Sequence, residues 1–270
     1  MASQTVTELN PNRRMRGLDR ALEILDFLRD LRRPARPHEI ALGIGAPKST
    51  AYELINLLLK NGILEYADKD GRVFLGRRLY FLGLAYQSNF DLTRECKDYL
   101  THLAGVTRET SQLCMLDGDK YVVAMMCEGE RPFNISSEVG KPLPLPWTAS
   151  GRLLVAHMSD AEIRDFIPEA DYVLPDGSRL DPDVFIGEVQ NARAEGFFSF
   201  DTLVDNFTHC FAAPVFQEDR ICAATLCLIA PRGDAERNYD HYRDTLLKSA
   251  HEFSARLGTT PLRFSQGRVG

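Results

Sequence analysis

Pro47-Lys48-Ser49-Thr50-Ala51-Tyr52-Glu53-Leu54-Ile55-Asn56-Leu57-Leu58-Leu59-Lys60-Asn61-Gly62 carries the start, the two faces and the stop of one helix. Proline suits the first turn of a helix, where its missing N–H costs nothing, and Asn-Gly suits the end. Ala51, Leu54, Ile55, Leu58 and Leu59 recur at three- and four-residue steps and form a face to be buried. Lys48, Ser49, Tyr52, Glu53, Asn56 and Lys60 point the other way, with Thr50 beside them at the amino-terminal end.

The flanking sequence tells what this helix belongs to. Upstream, Leu18, Ala21, Leu22, Leu25 and Leu28 make an apolar stripe over a helix at 18–31, and Pro34 and Pro37 break the chain after it. A short helix over His38–Leu42 closes at Gly43 and Gly45. Downstream, Ile63–Tyr66 and Arg72–Leu75 read as two short strands, with Asp70-Gly71 as a hairpin signal. Helix, short helix, tight turn, helix and hairpin make a winged helix-turn-helix. In such a unit the second helix braces the third, whose amino-terminal end enters the major groove of duplex DNA. Lys48, Ser49, Thr50, Tyr52, Glu53 and Asn56 are therefore the candidate DNA-reading residues, and Arg72 is the candidate on the wing. Arg16, with Arg13 and Arg14, gives a basic arm over residues 1–15 for phosphate contact. A bare three-helix packing module fits less well, because the polar donors gather where the groove would lie.

Charge follows the same division. Through residue 88 there are 14 Lys and Arg against 10 Asp and Glu; the remainder has 18 against 28, so a part of +4 precedes a part of −10. Only the first part is suited to a polyanion. At 270 residues, 44% apolar and 26% charged, the chain has room for about two globular domains. No apolar run reaches the length of a membrane span, and the first fifteen residues lack a signal-peptide core, so a cytoplasmic protein without membrane contact is expected. The six cysteines show no Cys-x-x-Cys spacing, and no His-x-x-x-His pair is present, which excludes a zinc finger or ribbon.

The predicted organisation is an arm at 1–15, the winged domain at 16–76, a linker helix at 77–91 and a second domain at 92–260. Leu79, Leu82 and Tyr86 give the linker an apolar side suited to another subunit or domain. The second domain opens with a helix at 94–107 and strands at 110–116, 120–128 and 133–137. A loop with Pro142, Pro144 and Pro146 leads into a helix at 152–157. Ser159-Asp160-Ala161-Glu162 is a capping box, and Asp181-Pro182 opens a longer helix that ends at Gly196. Strands at 197–200, 209–216 and 221–229 and a helix at 239–257 complete an α+β sandwich on a mostly antiparallel sheet.

At this point the sequence resembles the IclR family of bacterial transcriptional regulators. Gly17–Leu25 looks like the family's opening helix, and Pro47–Leu54 with Asn61-Gly62 like its recognition helix. Leu143-Pro144-Leu145-Pro146-Trp147-Thr148-Ala149-Ser150-Gly151-Arg152 resembles the loop and helix start of its effector domain, and Cys210–Phe216 adds a fourth match. The resemblance implies a dimer or tetramer that binds operator DNA through the winged domain. It also implies a GAF-like α/β/α carboxy-terminal domain that holds a small, often acidic, metabolite and controls a catabolic operon. It implies no cofactor and no enzymatic activity.

Carried over residue by residue, Ala149, Ser150, Asp201, Cys210 and Cys227 fall on positions that line the family's pocket, and Ile229 falls beside them. Trp147 is the expected apolar wall, and Thr148 lies at a helix start whose N–H groups suit a carboxylate. The chain departs from the family pattern at Glu53, often Arg; at Pro146, often His; at Cys227, often Ser; and by one residue between Asp201 and Cys210. The loss of hydroxyls implies an aromatic or medium-sized carboxylate rather than a two-carbon acid. Two other readings attach to the Cys210 region. A cysteine nucleophile activated by His209 conflicts with strand alternation, which sends neighbours to opposite faces. A metal or thiol-redox sensor would use Cys210, Asp201 and His209.

Overall fold

The computed structural model describes residues 11–89, 91–130, 138–216 and 221–259. The predicted strand at 133–137 and the arm as far as residue 10 lie outside them. The chain divides into two compact units after Tyr86, within the helix Arg77–Asn89.

In the first unit α1 spans Pro11–Leu31, so Arg16 stands within a helix rather than on an arm before it. Pro11 fits a first helical turn, and the arginines and methionine after it are good helix formers. α2 is Pro37–Gly43 and α3 is Lys48–Lys60. The wing is β1, Leu64–Tyr66, against β2, Val73–Leu75, antiparallel with Leu64 opposite Leu75. Ile24 and Leu28 of α1, Ile40 of α2, Ile55 of α3, Leu64 and Val73 close one small core. The turn between α2 and α3 is possible because Gly45 takes φ +60°. Arg20, on the polar side of α1, donates to the Ile44 carbonyl at 2.8 Å and ties that turn to α1. α4, Arg77–Asn89, leaves Tyr80, Phe81, Leu82 and Tyr86 exposed.

Among the described residues the second unit is one six-stranded antiparallel sheet between two helical layers. Its strands are β3 Thr110–Asp117, β4 Lys120–Cys127, β5 Pro142–Pro144, β6 Phe198–Asp201, β7 Thr208–Phe216 and β8 Cys222–Pro231. They run in the order β5-β4-β3-β8-β7-β6. Alternation along the strands sends Leu113, Phe211, Leu226 and Leu228 to one face, against α5 (Asp91–Thr107) and α10 (Tyr239–Thr259). Cys114, Ala212 and Cys227 go to the other, against α6 (Ala149–Leu154), α7 (Asp160–Phe166) and α8 (Pro182–Glu195). A short α9, Arg232–Arg237, follows β8.

Two local expectations change. The proline-rich loop forms β5, which pairs with β4 alone, and a tight 3-10 turn, Leu145–Trp147. Proline cannot donate to a ladder, so an edge position suits it. The helix expected at 152–157 begins at Ala149, because Thr148 caps it by accepting from the Gly151 N–H at 3.0 Å.

Candidate functional site

The exposed face of α3 presents Lys48, Ser49, Tyr52, Glu53 and Asn56 to solvent, with Thr50 half-buried beside them. Ala51 and Ile55 anchor the opposite face in the core. No side chain caps the first turn of α3, so its leading N–H groups face outward with Lys48 and Ser49. These are donors in the place where phosphates and base edges would lie. Arg72 is exposed on the wing but stands 3.7 Å from Asp68, so a phosphate would have to draw it from that pair. Asp68 also accepts from the Asp70 and Arg72 N–H groups and shapes the hairpin tip.

In the second unit a cavity of about 200 Å³ opens on the sheet face covered by α6. Trp147, Thr148, Ala149 and Ser150 form one wall; Cys210, Cys227 and Ile229 come from β7 and β8. Gln112 and Tyr121 contribute from β3 and β4, Thr202, Val204 and Asp205 from the connection between β6 and β7, and Thr208 from the start of β7. Ser150 is 1% exposed and accepts from Thr225 Oγ1 at 2.7 Å. Trp147 is held in place by its indole N–H, which donates to the Asp171 carbonyl at 2.9 Å.

Arg152 fixes this wall from behind. It is 1% exposed, and its guanidinium donates to Glu188 at 2.6 Å and to the carbonyls of Pro146 and Thr148 at 2.8 and 2.7 Å. The rings of Phe185, Phe198 and Phe200 lie 4.9, 5.2 and 4.7 Å from its central carbon. One buried cation thus ties the Pro146–Thr148 loop to α8 and β6.

Asp201 is the sequence-predicted pocket residue that the structure places elsewhere. β6 alternates, so Phe198 and Phe200 face Arg152 while Asp201 faces the α10 side. There its carboxylate pairs with His209 Nδ1 at 2.8 Å and lies 3.5 Å from Arg232 Nε. The carboxylate at the cavity is Asp205 instead. It accepts from the Phe207 and Thr208 N–H groups at 2.9 and 2.8 Å and from the Thr208 hydroxyl at 2.6 Å. Burial alone would push its carboxyl up; the bonds from Thr208 and Phe207 outweigh that and hold it below the usual carboxylate range. The sequence carries a signal for this residue, an Asp-Asn step just before a strand, but no spacing that ties it to Ser150.

Cys114 and Cys227 are poor nucleophiles. Burial pushes Cys114 well up, and its neighbour Cys227 adds to that. Cys227 is also raised: Cys114 pulls it down, but Cys210 and burial outweigh that. His209 and Asp201 sit across the sheet from Cys210, so they do not activate it. Among the described residues, no three His, Cys, Asp or Glu side chains gather as metal ligands. No described helix is long and apolar enough to cross a membrane. A larger hollow of about 330 Å³ lies between α6 and α8. Arg193 at its rim already donates to the Met158 carbonyl at 2.6 Å, and the convergence of polar groups found at the smaller cavity is absent from its described lining.

Comparison with known proteins agrees with both halves of this geometry. Residues 84–255 match the family described as bacterial transcriptional regulator IclR C-terminal, and residues 17–68 match the IclR helix-turn-helix domain. The chain belongs to the IclR family. Among characterised relatives, the transcriptional regulator XynR of Escherichia coli is 26% identical over 90% of this chain and 98% of its own length. The Pca regulon regulatory protein of Pseudomonas putida is 27% identical over 75% of this chain and 69% of its own. An IclR regulator from a Silicibacter species superposes with a TM-score of 0.82 at 20% identity, covering 91% of this chain and 98% of that one. An IclR homologue from Microbacterium hydrocarbonoxydans, solved with 4-hydroxybenzoate, gives 0.74 at 22% identity over 89% and 98%. For this IclR protein these likenesses establish a helix-turn-helix transcriptional regulator with an IclR carboxy-terminal domain.

Proposed function

We propose that this IclR protein is a ligand-responsive regulator of a catabolic operon, acting in the cytoplasm by binding and not by catalysis. One chain combines an outward polar helix face with a cavity where polar groups from several elements converge, and this pairing supports the reading. Lys48, Ser49, Thr50, Tyr52, Glu53 and Asn56 read the major groove, with Arg72 and Arg16 on phosphates. Glu53 repels phosphate but accepts from cytosine N4, which gives it a base to prefer.

The effector is a small carboxylate-bearing or aromatic metabolite, held against Trp147, Thr148, Ala149, Ser150, Cys210 and Cys227. That the Microbacterium homologue was solved with 4-hydroxybenzoate supports an aromatic acid of this size. Two recognition helices are needed for two half-sites, and the exposed Tyr80, Phe81 and Leu82 of α4 supply an apolar surface for a second copy. The assembly is therefore a dimer, or a tetramer built of dimers. The effector prefers one of two arrangements of the recognition helices, and that preference is the whole of the regulation.

A thermal-shift screen of the purified chain against small carboxylates, aromatic acids and sugar acids tests this. A ligand that binds only the folded state raises the melting temperature by mass action. A hit that is lost in Ser150→Ala is expected; a panel without any hit contradicts the reading.

A second reading, a thiol sensor, draws on Cys114, Cys210 and Cys227 sharing one sheet face. A change in DNA affinity after treatment with peroxide, absent from Cys227→Ser, would favour it.

A further inference from the structure

The cavity carries an uneven set of charges. Among its described lining residues, Asp205 is the one that is ionised at neutral pH, and no Lys, Arg or His stands with it. Its carboxylate is held in place rather than loose, by the two backbone N–H groups of Phe207 and Thr208 and by the Thr208 hydroxyl. A carboxylate offers about four acceptor sites; three take these bonds and the Thr202 hydroxyl leans on the fourth, so a ligand donor takes that place from Thr202, whose hydroxyl can turn wholly to Thr208. Thr202 and Thr208, whose hydroxyls lie 2.7 Å apart, brace the same stretch.

At the α6 wall the polarity is reversed. The Ser150 oxygen already accepts from Thr225, which leaves its own hydrogen to donate. The groups beside it are the thiols of Cys114 and Cys227, and sulfur is a weak acceptor that a ligand oxygen displaces. The rest of the described lining mixes apolar groups, Trp147, Val204 and Ile229, with the Gln112 amide and the Tyr121 hydroxyl, which already bond to Met126 and Cys114.

We propose that the effector is a donor–acceptor molecule: it gives a hydroxyl or amino hydrogen to Asp205, and its far end takes the Ser150 hydrogen on a carbonyl or carboxylate oxygen. This rests on the cavity being the effector site and specifies what the site admits. A molecule with an anion at both ends sets a like charge against Asp205 with no described cation to offset it. A molecule with no donor displaces water from the Asp205 carboxylate and returns no hydrogen bond, which is how a polar site rejects an analogue that lacks one group.

The test is a thermal-shift titration of the full chain with matched probes. The aromatic set is 4-hydroxybenzoate, 4-aminobenzoate, benzoate and terephthalate; the chain set is 4-hydroxybutyrate, butyrate and succinate. In at least one set the donor-bearing member is expected to bind ten-fold or more tighter than its unsubstituted and dicarboxylate counterparts. Asp205→Asn is expected to shrink that preference at least five-fold. Equal or tighter binding of the unsubstituted or dicarboxylate members overturns the proposal. So does a lack of binding by every donor-bearing member, and so does an unchanged preference in Asp205→Asn.

Cys210→Phe, which fills the cavity, separates this from failure of the broader reading. Where the shifts survive that variant, binding lies elsewhere and the cavity itself is refuted as the effector site. Where they vanish but the donor preference is missing, only the donor–acceptor rule falls. If Cys210→Phe does not fold, judged by its own melting curve, Ile229→Phe serves in its place.

Discussion

The α3 face and the α6 cavity are built in opposite ways. On α3 the polar side chains stand on one helix, all exposed but the half-buried Thr50, while Ala51 and Ile55 on the reverse side do the packing. At the cavity the polar groups come from β3, β7, β8, α6 and the β6–β7 connection, and most are bonded into the structure before any ligand arrives. Substitutions on α3 should therefore change function while leaving stability alone. Substitutions around the cavity should move both together.

Arg152→Met is the severest test of the second half of that contrast. It strands Glu188 and two backbone carbonyls; because Glu188 is 31% exposed, the cost lies near the lower edge for a buried ion pair, about 3 kcal/mol. For a domain of this size that is a fall in melting temperature of roughly 10 °C. A melting curve unchanged from the parent would show that the wall stands without its cation.

Lys48→Ala tests the first half. Its affinity for duplex DNA should fall up to about ten-fold, the slope of log affinity against log salt should drop by about one, and the melting temperature should stay within about 2 °C. A loss of stability equal to the loss of binding would erase the distinction between the two regions. Thr148→Ala sharpens the picture from the cavity side. Removing the α6 cap should cost about 1 kcal/mol, visible in the denaturation midpoint, and should weaken effector binding with it.

The smallest effect is one of pH. Asp205 is held below its unfolded value, so the stability it contributes is present above that value and fades only as pH falls through the lower, folded one. Chains with Asp205 and with Asp205→Asn should therefore show a constant melting-temperature difference from pH 5 to 8, narrowing only below about pH 4. A difference that varies across the neutral range would mean that the carboxylate is not fixed in the way described.

The same contrast explains what could be read in advance. The α3 face was legible because one period of 3.6 residues orders it, and the brace before it and wing after it follow in sequence. Both layers of the second unit were legible from strand alternation and from caps such as Ser159 and Asp181. The cavity was only half legible. Trp147, Thr148, Ala149 and Ser150 are contiguous, but Gln112, Tyr121 and Thr202 reach the same space through sheet order, which no local pattern encodes. Asp201 and Asp205 differ by four residues, yet strand parity turns the first away and the loop turns the second inward. Arg152 stands at a helix start in the sequence, and only its buried acceptors show what it holds.

The central claim is that occupancy of the cavity is felt at α3. The direct measurement is fluorescence anisotropy of the full chain on a duplex selected from a random-sequence pool, with and without a saturating amount of a thermal-shift hit. A change in DNA affinity of five-fold or more is predicted, with the same factor recovered when the effector is titrated in the presence of DNA. Identical DNA affinity with and without bound effector would contradict the account, whatever the cavity holds.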